Sequence, residues 1–463
     1  MQSLDSSSDT RPAVEKTASD EEKGSGCIVP YAQDDSASLS EEHRQYILQR
    51  HGTLDLDPMP SMDPRDPYNW PEWKKKTNLA LVAFHAMMAT FTSAAIHSSL
   101  VPISQDLHVS VQRATYLISL VIAILGCAPF FWRPLANPYG RRLIFLLSLL
   151  CSLVGNIGCA KSPSYATMSL CRAITGFFIS PAAALGSATR VDYRWIYWVL
   201  AIVNGMQFIL YFFFGPETLY LRDIDAPPPP RNIFTLTLHA IDPRPLLLRD
   251  ILEPLTYIFK RRVCIPSIAH AMVFLWASLF PTVLIPQIFP TKFRLDTQQI
   301  GLRFLASILG SLIGEQIGGW MSDGWMRRRR RVLGGKDPAA EYRLWLAYPG
   351  FALSIIGVVV FCVQMDKAGT KWNITPLVGV TLAAVGNQLL TTVLITYVVD
   401  CYRPDAASVG VFIAFVRGIW GFIGPFWLPN LVAATSFTAT GGIAAAFMIV
   451  LVMIPVAWLQ AVA

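Results

Sequence analysis

Two arginines and one glutamate stand alone in long apolar runs, and they set the chemistry open to this chain. Arg172, Glu315 and Arg417 each interrupt a stretch of roughly 20 mostly apolar residues. A guanidinium in the middle of such a stretch costs about 2.5–3.5 kcal/mol on insertion scales, so it needs a partner or a wet cavity. Arg172 is therefore a candidate for substrate binding or proton coupling, and the plainer alternative is an interhelical tether. Glu315, followed by Gln316, is the most isolated acid in any apolar run. It is a candidate proton carrier, and the alternative is a hydrogen-bonded acid near the membrane interface beside Asp323. Arg417 calls for a partner from Glu315 or Asp400, as a structural salt bridge or a gating pair. Asp400, just before Arg403, fits a rim interaction. Asn387 and Gln388 are adjacent amides in one run and candidates to line a cavity. Trp276, Phe280 and Trp420 could line a pocket for an apolar ligand, while His85, His97 and His270 occur singly and read as packing residues. This is chemistry for holding charge and moving protons. The apolar runs contain no H-x-x-x-H, no H-E-x-x-H and no paired acids, and the chain has no Walker sequence. An enzyme, a cofactor or a metal centre is not expected.

The elements that must position these groups are membrane spans. Of 463 residues, 53% are hydrophobic and only 15% charged, against about 25% charged in soluble proteins. That excludes a disordered chain, a collagen-like chain and a nucleic-acid-binding domain. Eleven apolar stretches are candidate spans, at about 79–101, 114–135, 143–160, 166–189, 195–214, 264–289, 300–320, 344–364, 375–398, 408–432 and 441–460. The expected organisation is a disordered cytoplasmic tail over 1–77, a first helical bundle over 78–214, a central cytoplasmic loop over 215–262 and a second bundle over 263–463. Residues 43–52 could form one short helix within the tail. The acidic start has no signal-peptide core, so the first span is expected to direct insertion. Gly310, Gly314 and Gly318 repeat at helical spacing on one face, a pattern that lets helices approach closely. No C-x-x-C occurs among the eight cysteines, which read as packing residues.

Charge orients the spans. Residues 1–60 carry a balance of −7 and the rest +14, and basic residues in short loops mark the cytoplasmic face. Lys74-Lys75-Lys76 places the N-terminus inside. Arg133, Arg141 and Arg142 agree, and Arg190 and Arg194 fit an inward return of the fourth span. The fifth span then conflicts. It would put Lys260-Arg261-Arg262 and the run Arg327–Arg331 outside, whereas the second half requires both inside. In the register of the second half, the sequon Asn373-Ile374-Thr375 lies outside, making Asn373 a glycosylation candidate. Either one apolar segment fails to cross, or a span is missing near residue 190.

Several motifs resemble those of fungal major facilitator superfamily transporters, in their drug:proton antiporter-like branch. The lead-in Asp63-Pro64-Arg65-Asp66-Pro67-Tyr68-Asn69-Trp70-Pro71-Glu72-Trp73-Lys74-Lys75 is similar to theirs. Tyr139-Gly140-Arg141-Arg142 resembles the end of the loop motif between helices two and three. Arg172-Ala173-Ile174-Thr175-Gly176 resembles the helix-four arginine motif. Arg194-Trp195-Ile196-Tyr197-Trp198 and Gly215-Pro216-Glu217-Thr218 resemble the two ends of helix six, and Tyr397-Val398-Val399-Asp400 the end of helix ten. The first loop motif departs from the pattern: Arg133, Asn137 and Pro138 stand where Gly, Asp and Arg are usual. Its counterpart, Gly319-Trp320-Met321-Ser322-Asp323, is better kept. The resemblance implies an all-α polytopic protein of two bundles around a central cavity, with twelve helices usual and about eleven here. The region of helix five is missing between Gly186 and Arg194, and the glycine face of helix eight is then left without its usual partner. It further implies secondary transport of a small organic molecule by alternating access, most simply proton-coupled efflux across the plasma membrane. Arg172, Glu315, Asn387, Gln388 and Arg417 would serve substrate and proton. Gly140, Arg141, Arg142, Gly319, Asp323 and Asp400 would serve the conformational change. The alternative is a truncated family member without activity.

Overall fold

The computed structural model describes residues 39–54, 56, 59–179, 193–219, 247–335 and 338–462. These residues form helices and turns, with no strand among them. The eleven long helices are labelled α1 (Glu72–Ala94), α2 (Val111–Tyr139), α3 (Arg141–Ala160), α4 (Tyr165–Phe178), α5 (Arg194–Phe214), α6 (Arg261–Phe293), α7 (Leu305–Val332), α8 (Ala347–Lys367), α9 (Thr375–Cys401), α10 (Ala406–Ala434) and α11 (Phe437–Val462). Nine helical stretches among the described residues are long and apolar enough to cross a membrane. The other two expected spans correspond to α1, whose first turns carry Glu72 and three lysines, and α4, which ends at Phe178 before residues outside the description. Both α6 and α11 contain a π-helical turn, at Phe274–Leu279 and Ile449–Met453.

Order begins before residue 78, which corrects the expected tail over its described part. Glu41–His51 is a helix capped by Ser40, with Ile47 buried. The Asp66 carboxylate then accepts the amides of Ser61 and Tyr68, each at 3.0 Å. Asn69 Nδ2 donates to the carbonyls of Ser61 at 2.7 Å and Asp63 at 2.9 Å. Asp and Asn at these spacings hold a turn through local side-chain bonds, which outweighs the polar composition.

Helix direction resolves the parity conflict. Arg141 and Arg142 open α3 at what is here termed the basic end, and Ala160 closes it at the other end. Arg194 Nη1 donates to the Ala160 carbonyl at 3.0 Å, and its Nη2 pairs with Asp106 at 2.8 Å. Thus α5 starts opposite Arg141, and the inward placement of Arg194 is wrong. A basic residue that finds a local carboxylate no longer reports the cytoplasmic face. Tyr193 Oη also donates to Asp106, and this bond, ahead of Arg194, holds the carboxyl below its usual range. At its far end α5 delivers Glu217 to the Arg141 and Arg142 amides. Tyr165 at the start of α4 bonds the Arg113 carbonyl beside the start of α2. So α4 and α5 both start at the end opposite Arg141, while residues 180–192 between them lie outside the described residues. Since α5 ends at the basic end beside Arg141 and Arg142, the second half falls into the orientation its basic clusters require. The junction at 186–192 itself lies outside the described residues.

The buried side chains separate by half. One core runs from Tyr257 to Leu459, and two smaller ones lie between Leu81 and Tyr211. Within the second half, the α7 glycines face α9. A Cβ on Gly310 would stand 2.5 Å from the Thr381 carbonyl oxygen, and one on Gly314 2.6 Å from that of Val385. The glycine face packs on α9; the expectation concerned a different helix. Gly314→Val is expected to lower the thermal unfolding midpoint by several degrees, since backbone must move to admit it. Gly324→Ala meets nothing within 4 Å and should leave the midpoint unchanged, so equal midpoints for both variants would reject this contact.

Candidate functional site

The halves meet where α2 crosses α10. Glycine at both positions lets the backbones touch: a Cβ on Gly126 would lie 2.9 Å from Gly418 Cα. On either side of this crossing the seam is closed by polar groups. At the end away from the basic clusters, Gln287 Nε2 of α6 donates to Gln112 Oε1 and Thr115 Oγ1 of α2, each at 3.0 Å. Gln112 Nε2 donates onward to the Pro425 carbonyl of α10 at 2.6 Å. Tyr116 stacks on Phe426 with ring centroids 4.3 Å apart. At the basic end, Arg133 of α2 pairs with Glu253 at 3.3 Å, and Ser408 of α10 donates to the other Glu253 oxygen at 3.4 Å. Glu253 lies in the short helical segment before α6 and so ties both halves together.

This latch is half-exposed, so it contributes about 1 kcal/mol at most. Glu253→Ala should accordingly speed maleimide labelling of an Ile122→Cys reporter, applied from the basic side, by about fivefold. Ile122 packs against Gly421 in the seam. An unchanged labelling rate would remove Glu253 from any gating role.

Arg172 lies inside the first half, fully buried. Its Nη1 donates to the Thr92 carbonyl of α1 at 2.8 Å, and the Tyr197 ring of α5 stands 5.9 Å from the guanidinium carbon. Nε and Nη2 make no hydrogen bond of normal geometry among the described residues. Nor is this the one unsatisfied group there. Among the described residues, the Tyr197 hydroxyl and both side-chain polar atoms of Asn156 and of Gln207 are buried without partners, while Asn204 Nδ2 donates to Ser152 at 2.9 Å. Unpaired polar atoms in an apolar interior are costly. Several such groups on α3, α4 and α5 make the interior of the first half unusually polar.

The second half holds a related but separate group. Arg417 of α10 sits against the Phe274 ring at 5.4 Å. No carboxylate pairs with it among the described residues, so neither expected partner is in place. Glu315 instead accepts a hydrogen bond from Gln388 Nε2, across α7 and α9. Asp400 pairs with Arg343 at 3.0 Å and with Arg403 at 3.9 Å. Helical spacing in sequence does not fix the azimuth of one helix against another. Asn387 is buried with Oδ1 unpartnered, and its carbonyl accepts from Thr391, whose hydroxyl also lies 3.3 Å from His270 Nδ1. Glu315 and Gln316 lie exposed beside Leu312 and Ile317 on the outer face of α7. Trp276 and Phe280 are both buried. They belong to the core, with Trp427 5.6 Å and Phe361 6.0 Å away respectively.

The motif residues gather at the basic end. Gly140 takes φ +85°, which a side chain would strain, and makes the corner between α2 and α3. The Glu217 carboxylate accepts the Arg141 amide at 3.0 Å and the Arg142 amide at 3.1 Å, capping the start of α3 with negative charge. Arg142 Nη2 donates to the Phe212 carbonyl at 2.8 Å. In the second half Arg343 joins Ser322, next to Asp323, to Asp400 of α9. Gly319 has open space around it. Asn373 is exposed in the loop before α9, at the end opposite these motifs. Nothing in the amino-acid pattern singles out Glu253, Gln112 or Gln287 as bridging groups. Amides at the rim of apolar runs were the one available cue.

Three comparisons bear on this geometry. Residues 80–192 match the model of the Major Facilitator Superfamily. The chain is 23% identical over 415 residues to the efflux pump radE of Floropilus chiversii, across 79% of this chain and 76% of that protein. It is 22% identical over 420 residues to the cycloheximide resistance protein of Candida maltosa, across 77% and 74%. Among solved structures, the peptide transporter POT in complex with alafosfalin aligns with a TM-score of 0.58 at 11% identity, covering 84% of this chain and 95% of that one. The human organic anion transporter MFSD10 aligns with a TM-score of 0.53 at 14% identity, covering 84% and 99%. At such identities the structural likeness speaks for the fold alone.

Proposed function

We propose that this chain, an integral membrane transporter of the major facilitator superfamily, exports a small organic molecule from the cytoplasm in exchange for protons. The observation that carries this reading is Arg172, a buried guanidinium with two nitrogens that no group among the described residues satisfies. A ligand with an acceptor oxygen, or water in an open state, would meet them. The α2–α10 crossing, with polar closures on both sides, supplies a seam about which the halves can rock. The closures at Gln112–Gln287 and Arg133–Glu253 would open in alternation. Glu315, with Gln388, is the proposed proton-carrying group. Arg417, Asn387 and Gln388 would contribute to ligand binding from the second half. Gly140, Arg141, Arg142, Gly319, Asp323 and Asp400 would govern movement at the basic end, and Gly310, Gly314 and Gly318 would hold α7 to α9. The basic end is assigned to the cytoplasm and the membrane to the plasma membrane, with Asn373 outside. Export is the direction supported by the relatives named as an efflux pump and a resistance protein.

The test is accumulation. Cells lacking their main efflux systems and expressing this chain should retain less of at least one compound from a panel of amphipathic toxins that includes cycloheximide. The difference should vanish when a protonophore collapses the gradient. Retention equal to that of empty-vector cells across the panel would point instead to a folded but inactive family member.

A further inference from the structure

The segment between the two halves, Leu247–Phe259, has its amphipathicity inside out. Leu248–Leu252 is one helical turn and Glu253–Phe259 continues it as a tighter helix. One side faces the protein. Glu253 bonds Arg133 and Ser408, Pro254 is buried, and Tyr257 is buried edge-on to Tyr402 with ring centroids 5.8 Å apart. The apolar side faces away. Leu248 is 70% exposed and Phe259 86%, with Leu252, Leu255 and Ile258 exposed between them. Apolar side chains at this helical spacing on an outer surface would be a liability in water. Arg249 and Lys260 are exposed at the two ends of this strip, and Arg261 opens α6 directly after it. The strip lies at the basic end, level with the ends of α2 and α6.

We propose that Leu247–Phe259 is a lipid-binding element. It lies in the interface of the cytoplasmic leaflet, with Leu248, Leu252, Leu255 and Phe259 among the acyl chains and Arg249 and Lys260 on anionic headgroups. An outward apolar strip rimmed by cations matches that surface in both polarity and charge. Because Glu253 projects from the opposite side to both halves, the lipid-facing strip also fixes where this bridging carboxylate stands. The inference depends on membrane residence and not on transport.

The test uses the full chain with Leu255→Cys carrying bimane, in a background whose native cysteines are replaced by serine. Leu255 is 36% exposed and is not among the buried core residues. The protein is reconstituted into phosphatidylcholine vesicles with or without phosphatidylserine. Lipids brominated on the acyl chain should quench the probe, and iodide in water should not. Phosphatidylserine should strengthen the lipid quenching roughly twofold, and Arg249→Ala with Lys260→Ala should cancel that increment. A probe at Asn373→Cys should behave as aqueous in every vesicle. Iodide quenching at position 255 would place the strip in water and overturn the proposal. Protection from both quenchers would mean that protein covers it, which also overturns it. Lipid quenching indifferent to phosphatidylserine would overturn the headgroup contact.

Discussion

Arg172→Met is expected to abolish transport while leaving the protein at least as heat-stable as the parent. The two readings of this residue separate on that combination. A tether holds helices together, and cutting it lowers the melting temperature. The single bond from Nη1 to the Thr92 carbonyl is worth about 1.5–3 kcal/mol as a charge-assisted contact. Against it stands about 2.5–3.5 kcal/mol for keeping a guanidinium at that depth, with Nε and Nη2 unpaired among the described residues. The balance is near zero or favours removal, and a similar result is documented when buried ionic groups give way to apolar ones of like volume. Methionine fills much of the same space without charge. Transport, in contrast, would lose the buried cation proposed to meet the ligand, and a fall of at least 100-fold is expected, roughly the worth of a hydrogen-bonded charge. A clear drop in melting temperature with flux retained would reverse the assignment and make Arg172 structural.

The second large effect belongs to Glu315→Gln. The variant keeps the shape of the side chain and can still bond Gln388, so the α7–α9 contact through Gly310 and Gly314 is preserved. What it removes is the capacity to carry a proton. Transport driven by a pH gradient should fall by at least tenfold, about 1.4 kcal/mol of lost coupling. Exchange of labelled for unlabelled ligand at equal concentration on both sides should persist, because it needs no net proton movement. Loss of both activities together would move Glu315 into ligand binding, and loss of neither would return it to a structural acid near the rim.

Much of the architecture was legible because spans announce themselves by length and composition. The starts of α3, α5 and α9 fall within a residue or two of the apolar runs. The parity conflict was also readable, since basic clusters at 260–262 and 327–331 are strong signals. Its resolution was not. Arg194 looked like a cytoplasmic marker, but it is spent on Asp106 and the Ala160 carbonyl at the opposite end. Charge counting treats every arginine as free to meet the membrane potential, and a side chain with a fixed carboxylate is not. The candidate site divides in the same way. Arg172, Glu315, Asn387 and Arg417 could be picked out by type, because a polar group in an apolar run needs a reason. Their partners could not, since those depend on the rotation of one helix about its axis relative to another. Arg417 therefore meets Phe274 and no acid. Glu253 was hidden for the opposite reason. In a polar linker an acid attracts no notice, and only the fold brings it between Arg133 and Ser408.

The central claim is that this chain couples movement of an organic molecule to a proton gradient. The measurement that addresses it most directly is flux in proteoliposomes containing the purified chain and a compound retained less in expressing cells. With an imposed pH gradient and no other energy source, the compound should accumulate against its own gradient in the compartment from which protons leave, and a protonophore should abolish the accumulation. Equilibration that stops at equal concentrations regardless of the gradient would contradict coupling, and flux equal to that of protein-free vesicles would contradict transport itself.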